Sequence, residues 1–218
     1  MKKRVSLLGI LSALFCFSCS QGNANNEITS DENKINSDMN KIITQINTAK
    51  DKVLVVYFSQ AGEQYSVGVI KEGNTKIVAD YICNYIGCDR FEIKAEKNYN
   101  MSYNDLIKVA KEEANKGELP AFKGKIENID QYSTVFIGGP VWWGTYPQVM
   151  FTFFKEYDLN GKTIIPFTTH EGSGLASCVE DVKEAYPNAN VLNGFAMYGH
   201  DVRTGEKKVI DWLKGLGF

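Results

Sequence analysis

The chain reads KVLVVYF at residues 52–58, and this stretch decides the fold class. After its first lysine it is an unbroken run of aliphatic and aromatic residues, which is typical of a strand buried on both faces. Strands of this kind belong to parallel sheets that carry helices on both sides. Residues 52–58 therefore predict the first strand of an α/β domain.

Beyond residue 58 the apolar residues alternate between strand-like and helix-like spacing. Further strands are predicted at 90–95, 134–138, 162–168 and 191–197. Helices are predicted at 74–86, 103–116, 147–155, 175–186 and 204–216. Thr204 is expected to cap the last of these helices. The alternation predicts a three-layer α/β/α domain around a five-stranded parallel sheet.

Residues 1–19 predict an export signal. Basic residues at 2–4 precede an apolar run over 5–17 that is too short to span a bilayer. The run ends at Phe17-Ser18-Cys19-Ser20, which resembles a bacterial lipobox with Cys19 as the lipidated residue. We therefore expect an exported, membrane-anchored lipoprotein on the periplasmic or cell-surface side. An ordinary cleaved signal and a plain membrane anchor are the alternatives.

Residues 20–50 predict a disordered tether, because they are rich in Asn, Ser, Thr, Asp and Glu and poor in large apolar groups. A short helix is possible at 41–50. The domain then occupies residues 51–218, which is long enough to bury one core. The formal net charge of the chain is −2, and this balance argues against a nucleic-acid partner, since a phosphate backbone requires a basic surface.

The five cysteines do not form the framework of a disulfide-rich fold, and there is no C-x-x-C pair. Cys83, Cys88 and Cys178 are expected to be small buried hydrophobic residues. A bridge between Cys83 and Cys88 is the alternative in an oxidising compartment. Cys16 and Cys19 belong to the predicted signal.

Ligands of open parallel sheets bind beyond the carboxyl ends of the strands, so the loops after the strands carry the candidate site. The first loop offers hydroxyl, amide and glycine groups at the start of a helix, which is typical of phosphate binding. Its candidate residues are Ser59, Gly73, Asn74 and Thr75. The alternative is that Asn74 or Thr75 only caps the helix. Residues 63–72 are inserted within this loop.

The second loop contains two adjacent tryptophans between glycine and proline residues. A tryptophan face can stack on a flat heteroaromatic ring. The alternative is that one of the two tryptophans packs into the hydrophobic core and only anchors the loop. Its candidates are Pro140, Val141, Trp142, Trp143 and Gly144. The third loop again offers hydroxyls and glycines, and its candidates are Thr168, Thr169, His170, Gly172, Ser173 and Gly174. With two histidines and no nucleophile elbow, neither zinc nor a serine-hydrolase triad is indicated.

Together the three loops resemble those of the flavodoxin family, and specifically of members whose second loop reads P-[VI]-W-W-G. The resemblance covers about residues 51–218 and implies a sheet of order 2-1-3-4-5 with non-covalent FMN. It implies that the first loop binds the phosphate, the second covers one face of the isoalloxazine ring, and the third contacts the ring edge. The insertion at 63–72 and the export signal depart from the family pattern. The insertion is expected to cover the flavin or to shape a substrate pocket.

The sequence therefore predicts an FMN-binding protein that transfers electrons, with a redox partner protein or a small acceptor such as a quinone. No protein residue is predicted to be catalytic, because the flavin carries the electron chemistry. A negative charge at Glu171 is expected to lower the reduction potential of the flavin. The alternatives are an NAD(P)H:quinone-type reductase on the same fold and a flavin-free surface binding module.

Overall fold

A computed structural model of the chain describes residues 52–218, together with Ser37 and Met39. The predicted export signal with Cys19 and almost all of the predicted tether lie outside the described residues. Within the described part of the chain, no helix is long and apolar enough to cross a membrane.

Ten strands and five α-helices make up residues 52–218. The strands are β1 Lys52–Tyr57, β2 Gly62–Gln64, β3 Gly68–Ile70, β4 Asp89–Glu92, β5 Lys94–Ala95, β6 Phe122–Lys123, β7 Tyr132–Pro140, β8 Thr163–His170, β9 Asn190–Val191 and β10 Phe195–Tyr198. The helices are α1 Asn74–Ile86, α2 Tyr103–Lys116, α3 Gln148–Glu156, α4 Cys178–Ala185 and α5 Glu206–Gly215. Short 3₁₀ helices occupy Ile129–Gln131 and Gly199–Thr204.

The central sheet has the order β4-β1-β7-β8-β10, and all of these neighbours are parallel. Numbered along the chain, the five strands have the order 2-1-3-4-5, so the predicted topology is confirmed. The short β9 also pairs with β8, which makes the sheet six-stranded.

The predicted strand at 191–197 is divided into β9 and β10. Val191 pairs with Ile164 and Phe195 pairs with Phe167, so the interruption lies opposite Pro166. Proline has no N–H to donate to a neighbouring strand, which explains the gap in the ladder at this level.

Both faces of the sheet are covered by helices, as KVLVVYF predicts. Val55 and Val56 point to opposite faces of β1, and both are fully buried. One face packs against α2, α3 and α4, and the other packs against α1 and α5. The domain is therefore a three-layer sandwich whose loops at the carboxyl ends of the strands are free to form a site.

Several element boundaries differ from the prediction. The last helix begins at Glu206 with Gly205 as its cap, because Thr204 belongs to the preceding 3₁₀ helix and donates its hydroxyl to the carbonyl of Asp201 at 3.2 Å. The helix predicted at 175–186 begins only at Cys178. The insertion at 63–72 contributes to an antiparallel hairpin, β2–β3. The strand predicted at 90–95 divides into β4 and β5, and β5 pairs with β6.

Candidate functional site

A cavity of about 360 Å³ opens at the carboxyl ends of the central strands. Its volume falls within the range of about 300–1,000 Å³ that is usual for ligand pockets. Ten of the residues predicted from the three loops line it: Asn74, Thr75, Pro140, Val141, Trp142, Trp143, Gly144, Thr169, His170 and Ser173. The remaining predicted residues, Ser59, Gly73, Thr168, Gly172 and Gly174, are not among its lining residues.

The first turn of α1 places two buried polar side chains against the cavity. Thr75 is 1% exposed, and its Oγ1 lies 2.7 Å from Oγ1 of Thr169, which joins the first loop to the third. Asn74 is also buried, and its Oδ1 accepts a hydrogen bond from Nη1 of Arg203 at 3.2 Å. The first N–H groups of a helix have no helical partner, so this wall offers amide donors to an anion.

Ser59 and Gly73 support this helix start from behind. Oγ of Ser59 accepts a hydrogen bond from the amide of Lys76 at 3.0 Å, so Ser59 caps α1 from the end of β1. The N-cap position itself is Gly73, not Asn74 or Thr75. A Cβ on Gly73 would lie 2.2 Å from Oγ of Ser59 and 2.8 Å from the carbonyl oxygen of Gln60. Only glycine lets the two parts of the first loop approach this closely.

The second loop reverses through a tight turn that carries both tryptophans. The amide of Trp142 donates to the carbonyl of Thr145 at 2.9 Å, and the amide of Thr145 donates back at 3.3 Å. The two central residues have positive φ, +53° at Trp143 and +85° at Gly144, as in a type I′ turn. A residue other than glycine in the left-handed region of backbone angles costs about 1–2 kcal/mol, so Trp143 is held in a strained conformation.

The two tryptophans have different surroundings. Trp142 is half-buried and packs edge-on against Phe58 and Tyr99, with ring centroids 5.5 and 5.3 Å apart. Trp143 is 54% exposed, although its Nε1 donates to the carbonyl of Ile107 at 2.8 Å. Nζ of Lys111 lies 4.6 Å from the ring centroid of Trp143. Trp142 therefore has part of its ring in the core, while Trp143 stands at the rim of the cavity.

The third loop is shaped by hydrogen bonds within itself and to the second loop. Oγ1 of Thr168 donates to the carbonyl of Gly174 at 2.8 Å, and Gly172 and Gly174 have positive φ. The amide of Val141 donates to the carbonyl of Thr169 at 3.0 Å. Thr168, Gly172 and Gly174 thus hold the loop in shape while Thr169 faces the cavity.

His170 lies in the cavity wall against Tyr198, with ring centroids 4.5 Å apart. Its Nδ1 accepts a hydrogen bond from the amide of Gly172 at 2.9 Å, which requires an unprotonated Nδ1. Burial lowers the pKa of His170 below its ordinary value of 6.5, His200 lowers it further, and Glu171 opposes the shift. His170 is therefore a neutral hydrogen-bonding group at pH 7.

We expect the free energy of unfolding to depend on the protonation of His170. The folded state disfavours protonation of His170. The stabilisation that neutral His170 gives the folded state is therefore complete above about pH 6.5 and is lost as the pH falls through the lowered pKa. The chain has two histidines, so an NMR titration with assignment by His200→Asn resolves His170 directly. Its midpoint should lie below 6.5, and His170→Asn should lose less stability than wild type between pH 7 and 5. A midpoint at or above 6.5 would contradict the neutral assignment.

A carboxylate also faces the cavity. Oε1 of Glu171 accepts a hydrogen bond from the amide of His200 at 3.0 Å, and its Oε2 lies 2.6 Å from Nδ1 of the same residue. A Cβ on Gly199 would lie 2.5 Å from Nδ2 of Asn74 and 2.8 Å from Oε1 of Glu171. The absence of a side chain at 199 therefore lets Glu171 sit beside the start of α1.

The individual residues of one part of the cavity wall were not predicted, although the insertion at 63–72 was expected to cover the flavin or to shape a substrate pocket. They come from the β2–β3 hairpin, from α2 and from two single positions: Gln60, Gln64, Tyr65, Val67, Tyr103, Leu106, Ile107, Ala110 and Gly199. The hairpin is attached to α2, because the amide of Tyr103 donates to Oε2 of Glu63 at 2.8 Å. The rings of Tyr65 and Tyr103 lie 5.8 Å apart. The one available signal was an aromatic residue within an insertion in a ligand loop.

Among the described residues, no three or more His, Cys, Asp or Glu side chains are grouped so that they could hold a metal ion.

Comparison with known proteins agrees with this architecture. The flavodoxin family model matches residues 52–216. A candidate flavoprotein from Bacteroides eggerthii is 32% identical with a TM-score of 0.62, covering 77% of this chain and 98% of that chain. A candidate flavoprotein from Bacteroides uniformis is 27% identical, with the same TM-score and coverage of 75% and 98%.

A flavoprotein from Lactobacillus acidophilus, solved in complex with FMN, shares the fold at 20% identity and a TM-score of 0.54, covering 73% of this chain and 99% of that chain. No curated protein matches the sequence significantly. The family match spans nearly the whole described domain, and the strand order agrees with it. The chain belongs to the flavodoxin family.

Proposed function

We propose that the chain binds FMN non-covalently and serves as an electron-transfer protein. The observation that carries the proposal is one cavity that joins a helix N-terminus with buried polar side chains to a loop with two tryptophans. Family membership supports the cofactor, and the related Lactobacillus acidophilus protein was solved with FMN.

The start of α1 fits a phosphate group without a cationic side chain. Helix α1 has 13 residues, and its N-terminus carries a partial positive charge. Asn74 and Thr75 add an amide and a hydroxyl, both buried and both in the cavity wall. Ser59 and Gly73 keep this first turn in position. Neutral donors that are already held in place would bind the phosphate at little ordering cost.

The second and third loops fit a flat polar ring. Trp142 and Trp143 offer aromatic faces, and Thr169 and His170 also line the cavity. Bound FMN supplies the one- and two-electron chemistry, while the protein orients the ring and excludes water. Glu171 places a negative charge at the cavity, which disfavours added negative charge on the ring and lowers its reduction potential.

The test is a visible absorption spectrum of the purified full chain after incubation with FMN and removal of the excess. We expect retained flavin bands and quenched flavin fluorescence, because the ring is held against tryptophan. A colourless protein that does not take up FMN would overturn the assignment of FMN as the cofactor and would favour the flavin-free binding module.

A second candidate function is reduction of a small flat acceptor such as a quinone, and the hairpin wall favours it. Tyr65 is 59% exposed at the cavity and pairs with Tyr103, while Val67, Leu106 and Ile107 add apolar surface. This surface suits a neutral aromatic molecule beside the flavin. Steady NAD(P)H oxidation with a quinone distinguishes a reductase from a pure electron carrier.

Tyr65→Ala tests the hairpin directly. We expect the rate constant for oxidation of the reduced holoprotein by a neutral naphthoquinone to fall about 2–12-fold, since an aromatic contact contributes about 0.5–1.5 kcal/mol. The FMN affinity and the oxidation rate with ferricyanide should stay unchanged. The matched control is Tyr85→Ala, an exposed tyrosine on α1 outside the cavity wall. Equal quinone rates in both variants would rule out this role of the hairpin.

We further propose that the protein is exported and anchored through a lipid on Cys19, with the domain meeting its redox partner outside the cytosol. Support comes from the basic and apolar pattern of residues 1–19. Cells fed labelled palmitate should label the wild-type chain, and Cys19→Ala should abolish the label. Labelling of the variant would exclude Cys19 as the lipidated residue.

A further inference from the structure

Two cysteines meet where α1 ends. The helix ends at Ile86 and is capped by Gly87, which has φ +74° and donates its amide to the carbonyl of Cys83 at 2.8 Å. In helix endings of this kind, the residue after the glycine returns over the last turn and contacts the residue three positions before the helix end. Here the residues at these two positions are Cys88 and Cys83, and their sulfur atoms lie 3.5 Å apart.

We propose that Cys83 and Cys88 are a modification site that forms an intrachain disulfide with a small disulfide oxidant such as oxidised glutathione. Both thiols are free in the described structure, and their sulfur atoms are 3.5 Å apart, compared with about 2.05 Å in a disulfide bond. Gly87 lies between them, and its positive φ turns the chain back over the last turn of α1. The end of the helix therefore brings the two sulfur atoms together.

The two thiols have unequal roles. Cys88 is half-buried and can be reached from solvent, whereas Cys83 is 8% exposed. The hydrogen-bonding contact with Cys83 lowers the pKa of the Cys88 thiol, and the same contact raises the pKa of Cys83. The thiolate is the nucleophile in disulfide exchange, so Cys88 is the attacking residue.

The exchange has two steps. The Cys88 thiolate attacks one sulfur of oxidised glutathione, which forms a mixed disulfide and releases one glutathione thiolate. Cys83 loses its proton and attacks the sulfur of Cys88, which forms the Cys83–Cys88 bond and releases the second glutathione. The protein loses two thiol hydrogens and two electrons, and one oxidised glutathione becomes two reduced molecules.

This site is separate from the FMN cavity. Cys83 lies nine residues beyond Asn74 in α1, about 14 Å along the helix axis at the usual rise. Cys88 precedes β4, whose first residue pairs with Leu54 near the start of β1, whereas the cavity lies at the strand ends. The disulfide therefore does not exchange electrons with the flavin by contact. It ties the end of α1 to the edge strand β4.

Trypsin places both residues in one peptide, 77–90, between Lys76 and Arg90. The purified full chain is incubated with oxidised glutathione, quenched in acid, alkylated with N-ethylmaleimide in denaturant and digested. We expect peptide 77–90 to lose about 2 Da and carry no label, and to carry two labels after treatment with dithiothreitol. Cys178, in a different tryptic peptide, should be labelled in both samples and is the internal control.

The oxidised protein should melt about 4–8 °C above the reduced protein, because the short closed loop restricts the unfolded chain. Cys88→Ser should show neither the mass loss nor the temperature shift. Two labels on peptide 77–90 after oxidation, or a lasting glutathione adduct on it, would overturn the disulfide. Because both measurements use the wild-type chain, they stand even if the variant folds poorly, and neither depends on FMN.

Discussion

Gly138→Ala is expected to lower the melting temperature by about 6–12 °C, through a loss of about 3 kcal/mol in the free energy of unfolding. Gly138 lies in β7 and pairs with Phe167 of the neighbouring strand β8. A Cβ at this position would lie 2.0 Å from Cζ of Phe167, whose ring is fully buried. The centre of the sheet has no space into which this ring can move, so the added methyl group must displace packed atoms.

The matched control is Gly215→Ala. Gly215 is the last residue of α5, and a Cβ there would meet nothing within 4 Å. We expect its melting temperature to stay the same or to rise slightly, since alanine is the better helix former. Thermal unfolding followed by circular dichroism measures both variants. Adding Phe167→Leu to Gly138→Ala should recover part of the loss, because the two positions share one space. A Gly138→Ala protein as stable as wild type would contradict this packing argument.

The double substitution Trp142→Ala/Trp143→Ala is expected to weaken FMN binding about 10–100-fold. Each aromatic contact contributes about 0.5–1.5 kcal/mol beyond the area that it buries, and two such contacts are lost. Titration of FMN fluorescence quenching gives the dissociation constant. An affinity equal to that of wild type would show that neither tryptophan holds the ring.

Single substitutions separate the two rings. Trp142→Ala should lower both FMN affinity and stability, because it leaves a gap against Phe58 and Tyr99. Trp143→Gly should lower FMN affinity with a smaller loss of stability than Trp142→Ala, since relief of the positive φ offsets the lost hydrogen bond to Ile107. The control is Trp212→Phe, because Trp212 stacks on Phe195 in the opposite layer of the sandwich. This control should leave FMN affinity unchanged.

The position of the site along the chain could be predicted because of a general property of parallel sheets. All carboxyl ends of the strands meet at one edge, so residues that follow buried strands gather there regardless of their separation in sequence. Thr75 and Thr169 are 94 residues apart, and their hydroxyl oxygens lie 2.7 Å apart. This is why polar and aromatic residues in three loops predicted one cavity.

Individual roles within the loops could not be predicted in the same way. Ser59 is predicted as a phosphate ligand, and only the structure shows that its hydroxyl also accepts the amide of Lys76 and so caps α1. Trp142 and Trp143 are equivalent in sequence, but the turn between them leaves Trp142 half-buried and Trp143 exposed. The direction of each side chain depends on backbone angles that the residue type leaves open.

By itself the sequence determined the elements and their layers, because hydrophobic periodicity records which face of each element is buried. It also determined the carboxyl edge of the sheet as the site, together with half of the residues that line it. The insertion was expected to cover the flavin or to shape a substrate pocket, but only the tertiary structure decided that it folds as a hairpin and that α2 joins it in the cavity wall, through contacts such as Glu63 with Tyr103 and Trp143 with Ile107. These contacts join residues 36 and 40 positions apart, and no local pattern in the sequence records them.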